Sequence, residues 1–348
     1  MAGGTWDPTA IPVRPGLYVN FVEAAAAQIQ GGARGTVAIP LLTYSGTAQE
    51  KQVYTIEKEQ QAVELFGAEH IRSIKLAMQG GAKEVLVYTM PAAPLAADYT
   101  EMRGTLDTHL FNVFVFDGEF QATEQTAVQS WVAQNRTEGK HFMVVFGGDA
   151  AADSDPTVGN SRSTSLNDDY VVNLINGVKL DDEVLTSAEF APYMAGLIAG
   201  TAINRSITYT KVNGLDVNKR LTNAEVKTAI QAGSLVLVFD GEKVRVEQGI
   251  ASSKKKIRAV RARQAVATDV TKTASDAYIG KIDNHADGQA ALMAAIKAYL
   301  ERLEASNVLQ DIDVQLDPNQ SSTGDQVFLA ISYQEIDTME RILLTVNV

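Results

Sequence analysis

The apolar positions of this chain change period along its length, and each change marks out an element. In PGLYVNFV, Leu17, Val19 and Phe21 alternate with Tyr18, Asn20 and Val22, a period of two that predicts a strand with apolar side chains on both faces. An extended segment ahead of any domain is either an edge strand of its own core or an arm that pairs with another molecule. From 35 to 90 the pattern reads strand, strand, helix, strand: TVAIPLLTY, KQVYTI, HIRSIKLAMQ and EVLVYTM, with Gly80 and Gly81 stopping the helix. Between 110 and 250, short apolar runs (LFNVFVF, HFMVVFGG, YVVNLI) alternate with segments of helical period (EQTAVQSWVAQN, FAPYMAGLIAGTAI). That alternation predicts a parallel sheet covered on both faces. Asp240-Gly241, between LVLVF and KVRVEQGI, predicts a hairpin, and Thr222 and Glu225 have capping-box spacing. Leu292, Ile296, Tyr299, Leu300 and Leu303 form one helical stripe, with Glu301 and Glu304 on the solvent side. The chain closes with two strand-like segments, VFLAISYQEI and RILLTVNV, so both ends read as β arms.

Composition narrows the classes. With 348 residues, 45% hydrophobic and 21% charged, the chain can bury a real core and has room for two or three domains. Acidic residues number 42 against 30 basic ones, a net charge of −12 that repels phosphate backbones, so no nucleic-acid partner is expected. The absence of cysteine removes disulfides, thiol nucleophiles and thiolate metal sites together. MAGGTWDPT lacks the basic start and apolar stretch of a signal peptide, and the most apolar window, Phe190 to Ile203, is too short to cross about 30 Å of hydrocarbon. The expectation is a soluble protein made in the cytosol, without membrane insertion.

No catalytic or metal constellation emerges. None of His70, His109, His141 and His285 has a His or Glu four residues away, the spacing that sets two ligands on one helix face. Asp149, Asp153 and Asp155 carry the charge of a calcium loop without its glycine and closing glutamate, and read as a solvated loop. Gly31, Gly32 and Gly35 lack the Lys and Ser or Thr of a phosphate loop and mark a turn, and no GxSxG elbow occurs. No metal or other cofactor is expected. TSAEFAPYMAGLIAG, from Thr186 to Gly200, resembles the helix of subtilisin-like proteases that carries the catalytic serine at its start. Pro192, Ala195 and Gly196 match it, but the nucleophile position falls on Ala188, with Ser187 beside it and no glycine before it. A methyl group cannot attack a carbonyl, and no Asp with a following His stands upstream as base and orienting carboxylate. The scaffold is expected to persist without catalytic residues.

Seven pieces in order carry a wider resemblance: PGLYVNFVE, RGTVAIPLLTYSG, GGAKEVLVYTM, YMAGLIAGTAINRSITYTKVNG, LVLVFDGEKVRVEQGI, YIGKIDNHADGQAALMAAIKAYLERL and the closing strand. Together they resemble the tail sheath protein of contractile phage tails, in the form found in phages and prophages of Gram-positive bacteria. The resemblance implies an α/β, multi-domain chain: an N-terminal arm at 1–30, a small β-rich domain at 31–95, a catalytically dead subtilisin-like domain at 96–250, an α+β domain at 251–333 and a C-terminal arm at 334–348. It implies assembly in the host bacterial cytoplasm into a helical homopolymer of the virion tail. That sleeve surrounds an inner tail tube protein, meets baseplate and tail terminator proteins, and shortens to drive the tube through the host envelope.

Within that reading, inter-subunit linkage falls to Leu17, Val19 and Phe21 in the first arm and to Ile342, Leu344 and Val346 in the last. Ala24 to Ala27 and Gly31-Gly32 serve as a pliant link. The basic run Lys254, Lys255, Lys256, Arg258, Arg261 and Arg263 is either a patch facing the tube or a neighbouring subunit, or a solvated loop. A phage-tail-like bacteriocin or an extracellular injection system would use a similar subunit, and a subtilisin-like hydrolase is the competing class.

Overall fold

In the computed structural model, the described residues are 3–4, 17–18, 29, 34–181 and 183–347. Near the start, β1 (Gly3–Gly4) and β2 (Leu17–Tyr18) form a short parallel pair. Val19 and Phe21 of the first arm, and the Ala24–Ala27 and Gly31-Gly32 link, lie outside the described residues.

Six strands make the central sheet: β3 (Thr36–Leu41), β4 (Val53–Ile56), β5 (Glu84–Thr89), β6 (Val113–Val115), β7 (Met143–Phe146) and β8 (Val171–Asn173), in the order β4-β5-β3-β6-β7-β8. Only β4 runs antiparallel to its neighbour. TVAIPL, VFV and MVVF are buried along their whole length, because helices cover both faces of a parallel sheet. This corrects the expected small β-rich domain at 31–95. β3 lies in the middle of the sheet, with Val37 opposite Val85 on one side and Val113 on the other. One core accordingly runs from Val37 to Val260, across the expected boundary. Periodicity identifies strands but not which strands pair.

The helices of this body are α1 (Glu59–Phe66), α2 (Arg72–Gly80), α3 (Ala96–Leu106), α4 (Ala122–Thr137), α5 (Ala150–Ser154), α6 (Pro156–Leu166), α7 (Ser187–Gly200) and α8 (Asn223–Ala232). α2 ends at the double glycine, with Gly81 in the left-handed region at φ 119°. It crosses α7 through glycines: a Cβ on Gly196 would fall on the Ala77 carbonyl, and one on Gly80 on the Tyr193 carbonyl. The missing side chains let the two backbones touch, which fixes the start of α7 against the sheet.

Beside the main sheet, β9 (Val178–Leu180), β10 (Glu183–Leu185) and β11 (Asp216–Val217) form a small antiparallel one. The expected hairpin is β12 (Leu237–Phe239) with β13 (Val244–Val246). Its loop has four residues, and the Asp240 carboxylate accepts the Glu242 and Lys243 N–H groups at 3.1 Å each. Thr222 caps α8 as its spacing predicts, its Oγ1 accepting from the Glu225 N–H at 3.3 Å.

A second core belongs to α9 (Ile257–Thr273), a π-helical turn at Ala274–Tyr278, α10 (Ala286–Ala305), β14 (Leu309–Leu316) and β15 (Leu329–Glu335). α9 joins the two: Ile257 and Val260 pack in the large core, Ala262 and Val266 in the smaller one with Ile296, Tyr299 and Leu300. β14 and β15 form a two-stranded antiparallel sheet whose register shifts between Gln310 and Asp313. VFLAISYQEI thus becomes β15. RILLTVNV does not form a strand: the Ile336 N–H bonds to the Val308 carbonyl at 3.0 Å, and 336–347 has no regular secondary structure. Among the described residues, no helix is long and apolar enough to cross a membrane.

Candidate functional site

The start of α7, where the sequence resemblance to subtilisin-like proteases falls, is closed. Thr186 caps the helix in a reciprocal box with Glu189: the Thr186 N–H donates to Glu189 Oε2 at 2.8 Å and the Glu189 N–H to Thr186 Oγ1 at 3.2 Å. Ser187 is fully buried, donates from Oγ to Asp153 Oδ1 at 2.5 Å and accepts the Gly148 N–H at 2.6 Å. Asp153 also accepts from the Ser187 N–H and the Asn218 amide, both at 2.6 Å, so its carboxylate holds three hydrogen bonds. Ala188 is buried beside Ser187, its N–H donated to the Gly148 carbonyl at 3.0 Å. The histidines hydrogen-bond elsewhere: His109 with Thr105 and Thr108, His141 with Tyr170, His285 as the cap of α10. This cluster clamps α7 to the β7 loop and offers no reachable nucleophile.

The solvated-loop reading of the three aspartates is corrected by the same geometry. Asp149 caps α5, Asp155 caps α6 and Asp153 is the buried anchor of Ser187. A cap carboxylate accepts backbone N–H bonds whereas a calcium loop's carboxylates ligate the ion, but both uses place closely spaced acidic residues in a short segment, so the sequence pattern alone does not separate them. Among the described residues, no group of three or more His, Cys, Asp and Glu is placed to hold a metal ion.

At the carboxyl edge of the sheet, the Asp117 side chain bridges strands, accepting the Leu42 N–H at 2.9 Å and the Ser73 hydroxyl. Burial pushes its carboxyl up to about 7. Burial, and then the neighbouring Asp117 charge, push Glu119 up to about 8, against the opposing pull of nearby backbone N–H groups and the Tyr99 hydroxyl.

The basic run does not form one patch or one loop, because its second half is the start of α9. Lys254 is exposed and Lys255 reaches Asp169 at 2.7 Å. Arg258 is buried and donates to the Asn307 carbonyl at 2.6 Å, while Arg261 donates to the Thr201 carbonyl at 2.5 Å. Arg263 pairs with Glu335 of β15, and Lys256 pairs with Glu340. Helical period turns Arg258 and Arg261 inward while Lys255 and Arg263 stay out.

Glu340 is a functional residue the sequence reading missed. Its carboxylate takes the Thr208 hydroxyl at 2.7 Å, the Gln248 amide at 2.8 Å and the Lys256 ammonium, with its side chain 9% exposed. Two residues later exposure returns: Ile342 is 72% exposed, Leu343 93%, Leu344 84% and Val346 78%. The chain end is thus pinned to the body at one carboxylate and then presents an apolar run to solvent. Beside it, β14 and β15 pair only with each other among the described residues, leaving an open edge on each. Little local signal distinguishes Glu340 from other surface glutamates, because apart from a long contact with Thr338 its partners lie 84 to 132 residues away.

Comparisons with known proteins converge on these surfaces' owner. The model of the phage tail sheath protein central domain matches residues 92–252, and that of the phage tail sheath C-terminal domain matches 251–348. The tail sheath protein of Clostridium phage phiCD119 is 22% identical over 370 residues, covering 95% of this chain and 98% of its own. The sheath tail protein of Desulfitobacterium hafniense superposes with a TM-score of 0.73 at 18% identity, over 92% of this chain and 100% of that one. The helical sheath of the anti-feeding prophage in its contracted state gives 0.74 at 15% identity, over 97% and 99%. These relatives are structural sheath proteins, not known enzymes. With two adjoining sheath-domain models spanning 92 to 348 and a sheath relative matched along its whole length, the chain belongs to the phage tail sheath protein family, the structural subunits of contractile tails.

Proposed function

We propose that this chain polymerises helically around an inner tail tube and that its two ends are the strands that tie neighbours together while the bodies rearrange on contraction. The observation that carries this is the exposed run from Ile342 to Val346, apolar and unpaired beyond the Glu340 anchor. A strand with apolar residues on alternate positions gains from adding to an open sheet edge, through both backbone hydrogen bonds and side-chain burial. The edges of β14 and β15 supply acceptors of the right kind. Each backbone bond contributes only about 1 kcal/mol net, so one arm is weak, and repetition along a helical lattice multiplies it. Added strands also survive rigid-body rotation of the bodies behind them, which a contracting sleeve requires. Leu17 is the first-arm counterpart, with Val19 and Phe21 beside it in sequence.

The α/β body is, in this reading, a subtilisin-like scaffold without its chemistry. Ser187 spends its hydroxyl on buried Asp153, and Ala188 occupies the nucleophile position. Of the outward members of the basic run, Lys254 faces solvent where an acidic tube or neighbour would meet it, Lys255 and Arg263 are paired with Asp169 and Glu335, and Arg258 and Arg261 serve the interior. Baseplate and terminator proteins would cap the sleeve, assembled in the host cytoplasm. The anti-feeding prophage sheath, which covers 97% of this chain, supports the same contractile sheath role, and neighbouring genes distinguish a phage tail from a bacteriocin or extracellular injection system.

The test is deletion of residues 340–348 and electron microscopy of the purified protein. Full-length chain is expected to form long hollow tubes of uniform width, and truncated chain soluble, folded subunits whose melting temperature falls only by the loss of the Glu340 contacts. Tubes from the truncated chain would remove the arm from the assembly.

A further inference from the structure

A cavity of about 540 Å³ lies between the amino edge of the central sheet and α9, where the two cores meet. One helix face supplies its floor: Arg261, Gln264, Ala265, Thr268, Asp269 and Lys272 recur at the three- and four-residue spacing of a single α-helical stripe. Opposite stand Phe111, Val113 and Met143 from the sheet edge, with Ile198 and Ile203 from the end of α7. Glu84, Asn112, Glu138, Lys140 and His141 also line it, so the wall opposite α9 mixes apolar with polar and charged groups.

Most charges around this cavity are already matched. Asp269 pairs with Arg34 at 2.5 Å and accepts the Tyr299 hydroxyl at 2.5 Å. Glu84 accepts the Thr36 hydroxyl, and Lys140 donates to the Leu106 and Asp107 carbonyls at 2.6 and 3.0 Å. Arg261, like Lys140, meets only neutral acceptors: its one hydrogen bond goes to the Thr201 carbonyl, and among the described residues no carboxylate forms an ion pair with it. Burial, and then the charge of Arg34, weaken its hold on the proton and lower it to about 10. One helical turn on, Gln264 is 8% exposed and its Nε2 is buried with no hydrogen-bond partner. A half-buried guanidinium without a counter-charge and a buried amide donor without an acceptor each carry a cost, and both costs fall when a single anion accepts from the two groups.

We propose that this cavity binds a carboxylate carried on an apolar body, its oxygens accepting from Arg261 and Gln264 and its hydrocarbon lying against Phe111, Met143 and Ile198. Two sources share this chemistry: a small free acid, and an acidic side chain of a neighbouring copy. The inference is independent of the strand-exchange reading, since it concerns the other side of α9 and can be measured on the unassembled chain.

The probe is hexanoate, titrated into the full-length subunit by calorimetry and thermal shift, with neutral hexanamide as the shape control. Hexanoate is expected to bind at one site and raise the melting temperature, with hexanamide at least about tenfold weaker, the discrimination one charge-assisted contact gives. Arg261→Met is expected to abolish the preference for the acid. Should that variant fail to fold, Gln264→Leu serves instead and is expected to weaken hexanoate several-fold while leaving hexanamide unchanged. Equal binding of acid and amide, or no binding by either, would overturn the proposal. Sheath assembly in saturating hexanoate separates the sources. Loss of tubes assigns the natural carboxylate to a neighbour and unchanged tubes to a free acid, and either result stands with the site once acid-selective binding is seen.

Discussion

The α2–α7 crossing and the segment after Glu340 treat apolar sequence in opposite ways. In α7 nearly every side chain from Ser187 to Ala199 is buried, and Gly196 exists to let another backbone approach. From Ile342 to Val346 the chain is about as apolar per residue, yet its large side chains stand in solvent. Burial releases apolar surface from water at roughly 25 cal/mol per Å², so a chain leaves such a run uncovered only where another surface covers it. The first region is finished within one molecule. The second is left in solvent beyond the Glu340 anchor, as the proposed exchange with a neighbour requires.

The largest test of this contrast is Gly196→Ala, which sets a methyl group on the Ala77 carbonyl. Because backbone must yield to backbone, the variant is expected to lose roughly 3 kcal/mol or more in urea unfolding, or not to fold. Replacing Ile342 and Leu344 together by Asp is expected to do the reverse. Tube formation seen by electron microscopy should be lost, while subunit stability changes by less than about 0.5 kcal/mol, as for surface positions elsewhere.

The pH dependence probes the buried body alone. Asp117 and Glu119 hold their protons to about 7 and 8 in the folded chain, against 3.8 and 4.5 for the free groups. The folded state therefore binds more protons than the unfolded state between about pH 4 and pH 8. Their contribution to stability is complete below that window, falls as the pH rises through it and is flat above. Asp117→Asn keeps an acceptor for the Leu42 N–H and a donor for Ser73. It is expected to flatten the slope and to raise stability at pH 8 by about 2 kcal/mol in denaturant titrations. The smallest effect is expected of Glu340→Gln, which removes the charge facing Lys256 but can keep its contacts with Thr208 and Gln248. A loss of about 1 kcal/mol, with faster protease cleavage after the anchor, would match its role, whereas unchanged cleavage would detach the tail from it.

The sequence by itself determined the elements whose causes are local. The strands TVAIPL, VFV and MVVF, the stop at Gly80-Gly81, the Thr222 cap and the β12–β13 hairpin all follow from side-chain period and backbone preference over a few residues. The ordered pieces that resemble a sheath protein were legible for the same reason. The Thr186–Glu189 box has the spacing that revealed Thr222 and could have been found the same way.

Tertiary structure alone decided what depends on distant partners. It set β3 between β5 and β6, merging two expected domains, because hydrogen-bond pairing leaves no mark in either strand. It turned Arg258 and Arg261 inward, gave Asp153 to Ser187, and chose Glu340 as anchor through residues far along the chain. Charge in a sequence states only that a group will seek partners, and folding decides whether it finds them inside the molecule or is left facing out.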